Sequence, residues 1–316
     1  MSEDTFIEPQ ESGETLPNNN EGKRPRRAGR RRGRRLVSTA ALPALCTLLN
    51  GLSGFASMHF ATKDALGESQ LSNLQAAAWL ILAAMLFDML DGRLARLTRR
   101  TSDFGAQLDS LCDIISFGVA PAMLMLRTVT MAMRDLIKRS DELTGGALAM
   151  DRVFWCVAGV YVACAVLRLA RFNVETTADE SAHMGFHGLP SPGAAAVVTA
   201  MVLLFTNLVP KHTGWQSASW VIVAVSITVA TLAAALLMVS RFRYPHVVNQ
   251  YIRSRRPFSY LVKLVLLLAA AMISFFVTAA LAALAYALSG PIAALWRHLQ
   301  HRRPAGGTNV TPSAHP

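Results

Sequence analysis

The chain has 316 residues, of which 52% are hydrophobic and only 16% are charged, and its formal net charge is +11 at pH 7. Average soluble domains contain about 25% charged residues. Because the charges cluster between long uncharged runs, the composition excludes an ordinary soluble domain and predicts an all-α, polytopic integral membrane protein. The four cysteines form no CxxC pair and lie in apolar runs, so we expect neither a disulfide framework nor a zinc site.

The N-terminal tail, residues 1–38, is predicted to be disordered and to end in a basic block. Residues 1–22 are polar and acidic, whereas residues 23–35 consist mainly of arginine. Nucleic-acid binding is one interpretation of such a block. However, it directly precedes an apolar helix and contains no aromatic residue, which favours contact with anionic lipid head groups. We therefore expect no nucleic-acid partner, and we expect the N-terminus to lie in the cytoplasm.

Apolar runs of about 20 residues, the length needed to cross a bilayer, follow the tail. We predict six of them, at 39–61, 72–97, 105–133, 152–172, 190–210 and 217–240. Residues 260–296 form a further apolar tract that is too long for one ordinary span. The predicted organisation is therefore a six-helix membrane domain over 39–245, a C-terminal hairpin of about two transmembrane helices over 246–298, and a disordered tail over 299–316.

An even total of eight spans agrees best with the distribution of basic residues. It places the basic segments at 99–100 and 241–256, together with the C-terminal arginines, on the same side as the N-terminal block. This is the cytoplasmic side, because short cytoplasmic segments are enriched in lysine and arginine. The segment 134–151 would lie on the non-cytoplasmic side in this arrangement. It carries both basic and acidic residues and agrees least well with the enrichment of basic residues on the cytoplasmic side.

Four aspartates lie where the second and third apolar runs meet. Asp88 and Asp91 are three residues apart, and Asp109 and Asp113 are four apart, so each pair shares one helix face. The short connection at 97–104 makes the two helices antiparallel neighbours, and all four carboxylates are expected to converge near the cytoplasmic surface. A charged carboxylate is costly at the depth of the membrane, so we expect each one to pair with a cation or to take part in the function of the protein. A cluster of oxygen ligands suits Mg²⁺, Mn²⁺ or Ca²⁺.

Small residues accompany the aspartates. Gly92, Ala95 and Gly105 either allow close helix packing, which is their common role in membranes, or open a slot for a base or a phosphate. Arg96, one turn beyond Gly92, supplies a fixed cation that suits a diphosphate. We interpret the combination as a site for a nucleotide diphosphate ester, at which phosphoryl-type transfer can occur.

These residues follow the pattern D-x2-D-G-x2-A-R-x8-G-x3-D-x3-D, and every fixed position of the pattern is met between Asp88 and Asp113. The chain thus resembles the CDP-alcohol phosphotransferases. The resemblance implies a six-helix catalytic core, a CDP-linked donor, release of CMP and a homodimer. It also implies a divalent-metal cofactor, Mg²⁺ or Mn²⁺ and two ions in number, held by Asp88, Asp91, Asp109 and Asp113. The residues that it implies for binding the CDP group are Gly92, Ala95, Arg96 and Gly105.

Four further segments resemble the branch of this family that uses serine, the phosphatidylserine synthases. They lie at 116–121, 168–173, 186–192 and 241–245. The first span also fits the usual opening of the branch through Thr47, Asn50 and Gly54. The branch implies CDP-diacylglycerol as donor, L-serine as acceptor and membrane lipids as surroundings. We expect a bacterial cytoplasmic membrane, and the distribution of basic residues predicts that the active site faces the cytoplasm.

Within this resemblance, Asp113 is the expected general base for the acceptor hydroxyl, and Ser116 is expected to shape the acceptor pocket. Arg168 and Arg171 either bind the serine carboxylate or anchor the topology, and both interpretations stay open. Glycerol 3-phosphate and inositol phosphate remain alternative acceptors. From another class, a transporter that uses intramembrane carboxylates is an alternative. Transporters usually contain internal repeats, however, and the sequence has no second copy of the aspartate cluster.

Overall fold

The computed structural model describes residues 33–63, 68–98, 103–141, 146–178, 188–208, 217–242, 244 and 274–301, and these residues form helices and no strand. The α-helices, in chain order, are α1 (Gly33–Thr62), α2 (Glu68–Thr98), α3 (Asp103–Asp113), α4 (Ala120–Asp141), α5 (Gly146–Ala178), α6 (Ser191–Leu208), α7 (Ser217–Val239) and α8 (Phe275–His301). Between α3 and α4 the helix continues as a π-helix over Ile114–Val119. The prediction of an all-α fold is confirmed.

Most of the predicted membrane spans appear as long helices. Five helical stretches in the described part of the chain are long and apolar enough to cross a membrane, namely Ser69–Ala95, Phe104–Met133, Met150–Val174, Val221–Val239 and Phe275–Gln300. A sixth apolar helix, Ser191–Asn207, is shorter. The chain is therefore an integral membrane protein.

Two predictions fall outside the described residues. Helix α8 covers the second half of the apolar tract at 260–296, and residues 245–273 are not described, so the C-terminal hairpin stays a prediction. The basic block at 23–35 is likewise outside, apart from the backbone of its last residues. The described residues from Thr39 onward belong to one compact unit.

Small residues line the helix contacts of this unit. Helix α2 fully buries Ala77, Ala78 and Ala84. Lipid chains are as apolar as leucine, so helices in a bilayer associate through close packing rather than through hydrophobic burial, and small side chains permit that packing. Larger side chains such as Phe117 and Leu124 fill the space beside them, in one of two apolar clusters. The resulting rigid frame holds the polar groups of α1, α2 and α3 in place.

The π-helix follows Asp113 directly. A π-helix widens the backbone by bonding five residues ahead instead of four, and such segments occur frequently at functional sites. The fully buried hydroxyl of Tyr161, on α5, donates a hydrogen bond to the backbone oxygen of Phe117 at 3.1 Å. The wide turn is therefore braced by a side chain from another helix.

A backbone tie joins the start of α6 to the end of α7. Gly188 has φ 89°, a conformation that favours glycine, and a Cβ atom at this position would collide with the backbone oxygen of Met238. Its N–H donates to the oxygen of Phe242 at 2.8 Å, and the N–H of Leu189 donates to Leu237 at 2.9 Å. The tie brings together two of the segments that resemble the serine-using branch.

Tyr244 attaches α8 to this junction. Its hydroxyl donates to the backbone oxygen of Ala287 at 2.8 Å. Its ring occupies the space beside Gly290, where a Cβ atom would lie 2.6 Å from the ring. Burial, together with the neighbouring Tyr286, raises the pKa of the Tyr244 phenol to about 12, so this group stays a proton donor at neutral pH. Helix α8 also packs along α6.

Candidate active site

Three of the four aspartates form a tight group. Asp88 and Asp91, on α2, and Asp109, on α3, each offer one carboxylate oxygen, and these atoms all lie within 4.8 Å of one another. The two carboxylates of α2 share a helix face because they are three residues apart. Like charges at such distances repel each other strongly where the dielectric constant is low. The arrangement therefore calls for a cation.

The hydrogen-bonding state of these carboxylates tests whether a metal fits. Asp91 Oδ2 and Asp109 Oδ1 are buried and have no hydrogen-bond partner. A nearby amide oxygen, Asn50 Oδ1, is also buried without a partner. Buried acceptors of this kind are costly unless a donor or a cation satisfies them. The group of possible ligands found in the described part of the chain consists of carboxylates alone, and oxygen ligands of this kind fit a hard divalent cation.

Asp113 lies at the same site but is held differently. It is buried, and its Oδ1 accepts a hydrogen bond from Asn50 Nδ2, on α1, at 3.0 Å. It is close enough to Asp88 and Asp109 to interact with them electrostatically, although it is not part of the group of three. Asp113 is thus oriented by α1 as well as by its own helix.

The contact between α1 and the π-helix fixes this geometry. Ser116 is fully buried, and its hydroxyl donates to the backbone oxygen of Asn50 at 2.8 Å. Gly54 permits the close approach, since a Cβ atom there would lie 2.6 Å from the Ser116 Cα atom. Ser116 therefore joins two backbones next to Asp113, and its hydroxyl is already engaged.

The predicted CDP-binding residues differ in what surrounds them. Gly92 is exposed, and a Cβ atom there would meet nothing within 4 Å. Within this chain, close helix packing therefore does not require a glycine at position 92, and the space beside Asp91 stays open. Ala95 and Gly105 are partly exposed. The side chain of Arg96 lies outside the part of the structure that is described.

The two arginines of α5 are placed differently. Arg168 is partly buried, its Nη1 donates to Ser191 Oγ at 2.9 Å, and its Nε is buried without a partner. It also interacts electrostatically with Asp113. Arg171 is exposed. Arg168 therefore lies close enough to Asp113 to interact with it.

Several features of the site could not be predicted from the sequence. The π-helix, Tyr161 and the Ser191 contact of Arg168 have no local sequence signal, because each depends on a distant helix. Asn50 and Gly54 are singled out only through the resemblance of the first span to the serine-using branch, which gives no hint of the bond between Asn50 and Asp113.

The chain is similar in sequence to proteins of known family. A family model described as CDP-alcohol phosphatidyltransferase matches residues 40–232. The CDP-diacylglycerol–serine O-phosphatidyltransferase of Mycobacterium tuberculosis is 33% identical over 195 residues, covering 61% of this chain and 58% of the relative. The archaetidylserine synthase of Methanothermobacter thermautotrophicus is 34% identical over 219 residues, covering 68% of this chain and 73% of the relative.

A eukaryotic relative is similar to the same extent. The CDP-diacylglycerol–serine O-phosphatidyltransferase of Saccharomyces cerevisiae is 35% identical over 173 residues, covering 51% of this chain and 55% of the relative. The chain thus spans less than two thirds of the length of the mycobacterial and yeast relatives. The matched region contains all four aspartates, and its model covers more than half of the chain. The resemblance is confirmed: this chain belongs to the CDP-alcohol phosphatidyltransferase family.

Proposed function

We propose that the protein transfers the phosphatidyl group of CDP-diacylglycerol to the hydroxyl of L-serine, yielding phosphatidylserine and CMP for phospholipid synthesis. The observation that carries the proposal is the convergence of Asp88, Asp91 and Asp109 beside an Asp113 held by Asn50. The names of similar proteins in bacteria, an archaeon and yeast support serine as the acceptor.

The cofactor in this proposal is Mg²⁺ or Mn²⁺, with two ions bound. Asp88, Asp91, Asp109 and, in part, Asp113 would hold them, and the unpaired buried oxygens of Asp91 and Asp109 support this assignment. Divalent ions, when bound, neutralise the negative charge of a diphosphate and of a departing phosphate group.

The CDP group of the donor would bind beside the aspartates of α2, with the acyl chains remaining among the membrane lipids. The open space at Gly92 supports this placement. Ala95 and Gly105 would keep the slot open because their side chains are small, and Arg96 would pair with the diphosphate.

The proposed reaction is a direct displacement. The Asp113 carboxylate accepts the proton of the acceptor hydroxyl, and the oxygen attacks the β-phosphorus of the donor. A new P–O bond forms to the acceptor while the bond between the β-phosphorus and the bridging oxygen breaks, so that CMP leaves with the electron pair. Asn50 keeps one carboxylate oxygen of Asp113 engaged, which leaves the other available for the proton.

The acceptor would bind between the π-helix and α5. Ser116 would shape this pocket through its contact with Asn50, because its own hydroxyl is engaged. The serine carboxylate would pair with Arg168, which is supported by its unpaired Nε and its interaction with Asp113. Arg171, exposed on the same helix, would guide the anion or anchor the topology.

The proposed setting is a bacterial cytoplasmic membrane, with the site facing the cytoplasm, where water-soluble serine is available. The arginine distribution of the sequence supports this orientation. A homodimer is proposed on the strength of family membership.

One assay tests the proposal. Purified full-length protein in lipid nanodiscs receives CDP-diacylglycerol, Mn²⁺ or Mg²⁺, and labelled L-serine, glycerol 3-phosphate or inositol phosphate in parallel. We expect label in lipid, with equimolar CMP release, from serine alone. Asp113→Asn should abolish turnover while the protein still inserts in the membrane. Incorporation of a different acceptor would refute the serine assignment, and full activity of the variant would refute the role of Asp113 as the base.

A further inference from the structure

The guanidinium group of Arg168 is held by a hydroxyl of α6. Its Nη1 donates to Ser191 Oγ at 2.9 Å, and Ser191 is only 1% exposed. Its Nε is buried and has no partner in the described part of the chain. A guanidinium offers five N–H donors in a planar fork, which matches a carboxylate through two parallel bonds. The bond to Ser191 engages one terminal nitrogen and leaves the edge that contains Nε free to bind an anion.

Two contacts between α5 and the crossing that contains the π-helix show that Arg168 lies level with the proposed base. On one side, Asn173 Nδ2 donates to Ser110 Oγ at 3.0 Å. On the other side, a Cβ atom added at Gly118 would lie 3.4 Å from the Cβ atom of Ala165. The two segments therefore run antiparallel, and the arginine and the base each fall between the same two contacts. Their electrostatic interaction agrees with this register.

The position of Ser191 is set by the junction of α6 with α7. The N–H of Gly188, three residues earlier, donates to the backbone oxygen of Phe242 at 2.8 Å. The first backbone bond of α6 follows directly, from the N–H of Ala194 to the oxygen of Pro190 at 2.9 Å. The Ser191 hydroxyl thus extends from a helix end that α7 holds in place, and it can fix the orientation of a side chain bonded to it.

A structural role in capping the helix is the usual reason for a serine at a helix start. In α6, however, the carbonyl of Pro190 accepts the first helical bond, so the capping position precedes Ser191. The hydrogen bond that the structure gives to the Ser191 hydroxyl comes from Arg168. The contribution of this hydroxyl is therefore directed at the arginine rather than at the backbone of its own helix.

We propose that Ser191 is a positioning residue that holds the plane of the Arg168 guanidinium so that its Nε edge receives the carboxylate of the acceptor. The proposal rests on the proposed function. It makes the start of α6 an element of acceptor specificity, because an alcohol without a carboxylate gains nothing from an oriented fork.

Kinetics of the full-length protein in nanodiscs test the proposal. In Ser191→Ala, we expect the KM for L-serine to rise about tenfold, since a hydrogen bond to a charged group is lost. The KM for CDP-diacylglycerol and kcat should stay within twofold. Thr206→Val is the matched control. Thr206 lies about four turns further along α6, and its buried hydroxyl donates to the backbone oxygen of Leu203 at 3.2 Å. This control should leave the KM for serine unchanged.

A double-mutant cycle separates positioning from direct binding. An ammonium is a compact charge with rotatable donors and has no plane to orient. Arg168→Lys should therefore raise the KM for serine and retain turnover at saturating serine. If Ser191 acts by orienting the guanidinium, Ser191→Ala should cause no further rise in the KM for serine in the Arg168→Lys background.

Several outcomes would overturn the proposal. They are a wild-type KM for serine in Ser191→Ala, an equal rise for both substrates, failure of Ser191→Ala to fold, and a full tenfold further rise in the Arg168→Lys background. Loss of turnover at saturating serine in Arg168→Lys would also overturn it, because Arg168 would then act in the chemical step. Failure of the wild-type protein to use serine at all would instead refute the proposed function, before any variant is compared.

Discussion

The hydrogen bond between Asn50 and Asp113 provides a quantitative test of the site. The bond is 3.0 Å long and buried, and it joins α1 to the proposed base. Hydrogen bonds to charged groups contribute about 1.5–3 kcal/mol. Leucine branches at the same carbon as asparagine but cannot donate a hydrogen bond, so Asn50→Leu removes the bond. We assume that the energy of the lost hydrogen bond is added to the activation barrier. Because about 1.4 kcal/mol in the barrier corresponds to a factor of ten in rate, kcat should fall roughly 10- to 150-fold.

The measurement is CMP release at saturating CDP-diacylglycerol and serine, together with a thermal melt in the same lipid. Ser57→Ala is the matched control. Ser57 lies on the same helix, about two turns further on, and its buried hydroxyl donates to the backbone oxygen of Ala77 at 2.8 Å, away from the aspartates. We expect a small loss of stability and a wild-type kcat in this control. A wild-type kcat in Asn50→Leu, or an equal loss in both variants, would refute the reasoning.

Two further predictions concern the donor slot and the cofactor. Gly92→Ala should raise the KM for CDP-diacylglycerol, because the added methyl group would occupy part of the proposed donor slot. It should not lower the melting temperature, because the added Cβ atom meets no other atom within 4 Å. Gly54→Ala should lower the melting temperature, because its Cβ atom would collide with the Ser116 backbone. A lower melting temperature in Gly92→Ala would contradict this. Removal of divalent ions with EDTA should abolish activity and lower the melting temperature, and added Mn²⁺ or Mg²⁺ should restore both. Asp91→Asn should require more metal for half-maximal recovery, and an unchanged requirement would argue against Asp91 as a ligand.

Much of the fold follows from local sequence. Helices are encoded by apolar runs of membrane length, and the predicted run at 217–240 ends close to the end of α7 at Val239. Asp88 and Asp91 meet on one face because helical spacing alone dictates it. The meeting of α2 with α3 near Asp109 also follows from the short connection between the two helices. The convergence of three carboxylates was therefore predictable from residue spacing.

The remaining features depend on contacts between distant residues. Asn50 and Asp113 are 63 residues apart, and Tyr161 braces a π-helix 44 residues earlier in the chain. No local pattern encodes such pairs. Arg168 and Arg171 look equivalent in sequence, and only the packing of α6 against α5 shows that Arg168 is partly buried and bonded to Ser191 while Arg171 is exposed.

The π-helix at Ile114–Val119 divides one membrane crossing into two halves that face different neighbours. One extra residue in a helix turns everything beyond it by about 100° around the axis. The first half can thus present Asp109 and Asp113 to a polar centre, while the second half places Leu124 and Met125 in the two apolar clusters. Shortening this segment by a single residue would rotate one half out of register with its neighbours, so the contacts at both ends of the crossing fix its length.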